Sequence, residues 1–180
     1  MLKQIRRIVT ENDKNGKSRV LFDGIADNVI TVLTELWITE AGPHDHRTPV
    51  DMAKRSDRLE PPKDGTLFRF FEIAPESETA HLSREERQKA AHEWFAAMGG
   101  AHLQPDTSIH EAMHKSPTTD YIVLLSGRIT LVLETEERYL KPFDVVVQRG
   151  TNHAWVNRGT ENALLLAVLI DAGHDDHAEK

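Results

Sequence analysis

The sequence predicts an all-β fold, a sandwich or barrel carrying one helix, and three observations predict it. From Tyr121 to Asp171, short runs of β-branched and aliphatic residues follow one another at close, even spacing, broken by turn signals such as Ser126-Gly127 and Arg149-Gly150. One segment alone, residues 83–98, carries a helical signature with both ends marked. The chain of 180 residues has no cysteine, so disulfides and thiolate-held zinc do not organise it. A domain of this length buries roughly 70 % of its unfolded surface and needs no such staple.

Residues 1–40 read as N-terminal strands joined to the barrel. Ile5, Ile8 and Val9 form one β run and Val20, Leu21 and Phe22 another. Between them Asn15-Gly16 supplies the dipeptide that tight hairpins prefer. Val29 to Thr39, rich in Val, Ile, Thr and Trp, reads as a further strand. Residues 41–65 contain four Pro, two Gly and clustered charges without any period, and read as a long surface loop. The barrel proper, 66–172, opens with a strand over Thr66 to Ile73 whose Phe68, Phe70 and Phe71 are expected in the core. The inserted helix over 83–98 starts at Ser83, with Glu86 three residues on as a capping box, and stops at Gly99-Gly100. Its apolar face is expected to be Ala90, Ala91, Trp94, Phe95 and Met98. Strands are then expected at 121–126, 128–134, 139–141, 144–148, 153–157 and 163–171, before a polar, frayed tail over 173–180.

Composition narrows the function. A formal charge of −7 with scattered basic residues gives no electrostatic footprint for a nucleic acid. The longest apolar run, Ala163 to Ile170, falls far short of the roughly 20 residues that a membrane helix needs. Nor does a signal-peptide stretch follow Lys3, Arg6 and Arg7, so a cytoplasmic protein is expected.

With 10 His, 29 acidic residues and no Cys, attention turns to sites built from imidazole and carboxylate. His110-Glu-Ala-Met-His114 matches HExxH literally, but that motif works only when a helix puts both His on one face. Here Pro105 and Pro117 flank it and a strand follows, which disfavours a metalloprotease. His44-Asp45-His46 has the alternation of a strand face but lies between Pro43 and Pro49, and reads as a solvated loop. His174 and His177 in the tail are weaker still.

A third constellation joins distant segments, and there the chain resembles the cupin superfamily. Ser108, His114, Ser116, Asp120 and Gly127 occupy the positions of the first cupin motif, with His114 and Gly127 identical to it. Gly150, His153 and Asn157 match the end of the second motif, whose opening departs from the pattern at Pro142 and Gln148. The resemblance covers about 105–171. It implies a cupin-type antiparallel β-barrel (jelly roll) with a metal site in its interior: His114 and His153 as ligands of a divalent transition metal (Fe, Mn, Zn or Ni), Asp120 replacing the usual Glu, and His110 standing in where Ser116 replaces the second imidazole. Period-two alternation from His153 sends Trp155 and Asn157 toward the same cavity; Ser116 and Tyr121 are further pocket candidates, and Trp37 can face either way. Arg69 and Glu72 fall on opposite faces of their strand, and an exposed or rim-paired Arg69 is expected. The resemblance also implies a homodimer paired through N-terminal strands, and a metal-dependent enzyme acting on a small carbonyl-bearing or aromatic metabolite. Its reaction class (dioxygenase, decarboxylase, lyase or isomerase) is open, and a metal-free binding or sensing pocket is the alternative.

Overall fold

Two antiparallel sheets share one core in the computed structural model, which describes residues 2–43, 49–55 and 58–173. The strands, in chain order, are β1 (Arg6–Asn12), β2 (Ser18–Ile25), β3 (Val29–Ile30), β4 (Leu33–Thr39), β5 (Thr66–Ile73), β6 (Thr118–Ser126), β7 (Ile129–Leu133), β8 (Glu137–Leu140), β9 (Val145–Arg149), β10 (His153–Val156) and β11 (Ala163–Asp171). The large sheet has the order β3-β4-β5-β11-β6-β9 and the small one β10-β7-β8. Such non-sequential neighbours are the mark of a jelly roll. Ile122 and Leu124 of β6 and Leu165 and Ala167 of β11 meet Ile129 and Leu131 of β7, Leu140 of β8 and Trp155 of β10 between the sheets. Every strand from β6 to β11 overlaps its sequence expectation, because each is a short β-prone run bounded by turn residues.

The N-terminal hairpin forms as expected, a separate two-stranded sheet turning at Gly16 with φ 76°. Val29 to Thr39 is not one strand. Thr31 takes φ 52° and reverses the chain, so that β3 and β4 pair through Ile30 and Leu33. The predicted loop over 41–65 contains a 3-10 turn, Met52–Arg55, anchored by Asp51, which takes a forked ion pair from Arg7 at 2.7 and 2.5 Å. Such long-range ties leave no periodic trace in a sequence.

On β5 the inward residues are Leu67, Arg69 and Phe71, while Phe68 faces outward and is 37 % exposed. A single step of register therefore corrects the expected core. The helix α1 (Arg84–Ala97) has the full capping box between Ser83 and Glu86. Its packed face is Ala91, Trp94, Phe95 and Met98, whereas Ala90 is exposed. The HExxH match is not helical: Met113 N–H donates to the His110 carbonyl in a turn, and His114 already pairs with β10. His44-Asp45-His46, His174 and His177 lie outside the described residues. No helix among the described residues is long and apolar enough to cross a membrane.

The β6–β7 turn depends on Gly127, which has φ 78°. A Cβ there would sit 2.8 Å from both Ala163 Cα and the Asn162 carbonyl oxygen. Gly127→Ala is expected to cost about 2 kcal/mol through the left-handed backbone and the backbone overlap, read as a lowered urea midpoint with unchanged m.

Candidate active site

The jelly roll leaves a cavity of about 380 Å³ between the sheets, and helix α1 closes one side of it with Ala91, Trp94 and Phe95. Its walls are mostly apolar, from Phe71, Ile122, Trp155 and Leu169 among others. One reason that space remains is Ala167 on the central strand β11, which stands between Arg69 and Ile122 with only a methyl group.

Within that wall His114 and His153 stand side by side. They exchange both backbone hydrogen bonds, His114 N–H to the His153 carbonyl at 2.8 Å and the reverse at 2.9 Å, and their ring centroids are 4.3 Å apart. Phe95 covers the His114 ring at 5.0 Å, and Trp155 meets His153 edge-on at 5.7 Å. Each Nδ1 faces a backbone carbonyl, that of Ala112 at 3.0 Å for His114 and that of Thr151 at 2.9 Å for His153. A carbonyl only accepts, so Nδ1 carries the proton in both rings and Nε2 holds the lone pair. Burial lowers both pKa values, that of His153 to about 3 with help from its neighbour His114, so both rings are neutral at pH 7.

Asp120 faces the same cavity from β6. It is 6 % exposed, and its Oδ1 has no hydrogen-bond partner. Burial pushes its carboxyl up to about 6, against a hydrogen bond from Thr118 and the charge of Arg69. Ser116 Oγ lies 2.6 Å from Thr118 Oγ1 and also lines the cavity.

Arg69 is the residue that sequence reasoning misplaced. It is 3 % exposed and lines the cavity, with its guanidinium paired to Glu35 at 2.9 Å and donating to the carbonyls of Arg58 at 2.8 Å and Leu59 at 3.2 Å. The signal lay on β4, where Glu35 interrupts the run Leu33 to Ile38. A lone charge inside an otherwise apolar strand requires a buried counter-charge. Glu72 also reaches the cavity wall, although it stands on the opposite strand face from Arg69.

Of the remaining predicted site residues, Trp155 and Ser116 line the cavity, and three do not. Tyr121 is 48 % exposed, since its neighbour Asp120 takes the inward position. Asn157 lies past the end of β10, where strand alternation no longer holds. Its amide donates to the carbonyls of Ile73 and Glu161 and its Oδ1 accepts from Gly159 N–H, tying a turn together. His110 sits in the preceding turn, its Nδ1 accepting from Ala112 N–H and its Nε2 3.7 Å from Glu76. Trp37 is half-buried and is not among the lining residues.

Cupins commonly bind divalent metals, and the donors present here were compared with that role. Two imidazoles with free Nε2 lone pairs suit it. At the position of the second imidazole, however, Ser116 is engaged with Thr118. Among the described residues, no three His, Asp or Glu side chains are grouped to share one ion. The expected three-donor set of His114, His153 and Asp120, with His110 as substitute, is therefore not assembled, and the residues do not fit a 2-His-1-carboxylate centre.

Comparison with known proteins agrees with the sequence motifs. A cupin-domain-containing oxidoreductase of Aspergillus ruber is 26 % identical over 182 residues, covering 94 % of this chain and 74 % of that protein. A phomopsin biosynthesis cluster protein of Diaporthe leptostromiformis is 57 % identical over 62 residues, 33 % of each chain. The solved structure of an rmlc-like cupin family protein with a double-stranded β-helix fold, from Methanocaldococcus jannaschii, aligns at a TM-score of 0.38 and 10 % identity, covering 61 % of this chain and 73 % of that one. Residues 101–169, which hold His114, Asp120 and His153, match the cupin domain model.

Proposed function

We propose that the protein is an enzyme, an oxidoreductase as its relatives are named, that takes a small carbonyl-bearing or aromatic metabolite into the barrel cavity. The observation that carries this reading is the presence of His114, His153 and Asp120 on the wall of one mostly apolar cavity. An apolar cavity with a few convergent polar groups is what a small-molecule site requires. Asp120 is the proton acceptor in this reading, since a carboxylate near pH 6 holds and releases a proton at neutral pH. The two imidazoles, locked by the Ala112 and Thr151 carbonyls, orient the substrate by accepting hydrogen bonds. A proton removed from a hydroxyl, or from a carbon beside a carbonyl, passes to the Asp120 carboxylate, and that transfer is what these side chains contribute.

Solvent-deuterium uptake at carbon 1 of 2-tetralone, followed by NMR at pH 7.5, tests the proton step. Wild type is expected to exceed the buffer rate, and Asp120→Asn to lower the enzymatic rate by about 10²–10⁴-fold. A wild-type rate equal to buffer, or one indifferent to Asp120→Asn, would remove the reading. A stoichiometric transition metal in untagged protein, lost in His114→Gln and His153→Gln with the fold intact, would replace it with a metal-centred one.

A further inference from the structure

The polar groups of the cavity share a sense of hydrogen bonding. His114 and His153 donate through Nδ1 to backbone carbonyls, so their Nε2 atoms only accept. Asp120, once ionised, only accepts, and its Oδ1 is buried without a partner. Ser116 and Thr118 pair their hydroxyls with each other at 2.6 Å. Donors close by are turned elsewhere. Arg69 is engaged with Glu35 and the carbonyls of Arg58 and Leu59, and the Trp94 indole N–H donates to Thr31 Oγ1 at 2.8 Å. The apolar walls are rich in rings, with Phe71 and Trp155 on the sheets and Trp94 and Phe95 on the helix.

Building on the enzyme reading above, we infer that the cavity is made for a hydroxyarene, a planar aromatic ring whose hydroxyl groups donate to Asp120 and to the His114–His153 pair. The rings flank the planar body. The acceptors complement hydroxyl protons. A buried acceptor without a partner is costly, so a ligand hydroxyl is held and an apolar group of the same size is refused.

Calorimetric titration at pH 8 of the full chain with 2-naphthol and with 2-methylnaphthalene separates the possibilities. The two probes have nearly the same shape, and the methyl compound is the more hydrophobic, so burial alone would favour it. Wild type is expected to bind 2-naphthol at least tenfold more tightly. In Asp120→Val the preference is expected to vanish or invert, and His153→Leu provides a second variant should that one not fold. Equal affinities in wild type, or a preference that persists in the variants, would overturn the hydroxyarene inference and leave the enzyme reading standing. Absence of binding by either arene would overturn both. A naphthol preference without any tetralone exchange would leave the ligand class intact and remove the catalytic reading.

Discussion

Arg69→Met is expected to lower unfolding stability by about 3–5 kcal/mol, the usual cost of removing one member of a buried ion pair. Arg69 and Glu35 are 3 % and 0 % exposed at their side chains and meet at 2.9 Å. Desolvation lowers the Arg69 pKa against the pull of Glu35, so the pair holds its charges only because each faces the other. Methionine fills similar volume but withdraws the cation from the Glu35 carboxylate and the donors from the Arg58 and Leu59 carbonyls. Those carbonyls belong to the 41–65 segment, so the variant should also loosen its attachment to the barrel. Urea unfolding of Arg69→Met, Glu35→Met and the double variant measures the coupling. The double variant is expected to recover much of the loss, since two well-packed apolar residues often replace a buried pair at little cost. A single variant within 1 kcal/mol of wild type would show that the pair is not buried as described.

How far sequence reading reached follows from what each element encodes locally. Strands β6 to β11, the hairpin at Asn15-Gly16 and the Ser83 capping box were legible, because alternation, turn dipeptides and caps are short-range signals. His114 and His153 were brought together by motif spacing, and they stand 4.3 Å apart between ring centroids. The failures are all long-range or positional. Asn157 was placed by extending alternation one residue beyond β10, and His110 by extending it before β6 begins. Arg69 was read from its own strand, although the reason for its burial is Glu35, 34 positions away. The closure of the cavity by Trp94 and Phe95 depends on how the helix docks, which its weakly amphipathic sequence does not encode.

Acid sensitivity is the last expected result, and it sets two residues of one cavity against each other. His153 has a folded pKa of about 3 against an ordinary 6.5. A depressed pKa contributes stability that is present above the unfolded value and is lost as pH falls toward the folded one. From pH 7 to pH 4 this amounts to about 3 kcal/mol lost, at about 1.4 kcal/mol per pH unit, and His114, lowered in the same direction, adds to it. Asp120 runs the opposite way. Its folded pKa of about 6 lies above the ordinary 3.8, so its stabilising contribution is present at low pH and lost as pH rises through 6. Over the same interval it returns about 2 kcal/mol on acidification. Wild type should therefore show a shallower loss between pH 7 and pH 4 than the histidines alone would impose. Asp120→Asn should steepen that loss. His153→Asn, whose amide can still donate to the Thr151 carbonyl, should make that loss shallower than in wild type, with His114 still contributing to it. Urea midpoints measured from pH 4 to pH 8 in the three proteins decide the matter. Parallel curves would mean that neither ring nor carboxylate is buried in the cavity as described, whereas variant curves that depart from wild type in opposite senses would place both in one desolvated space.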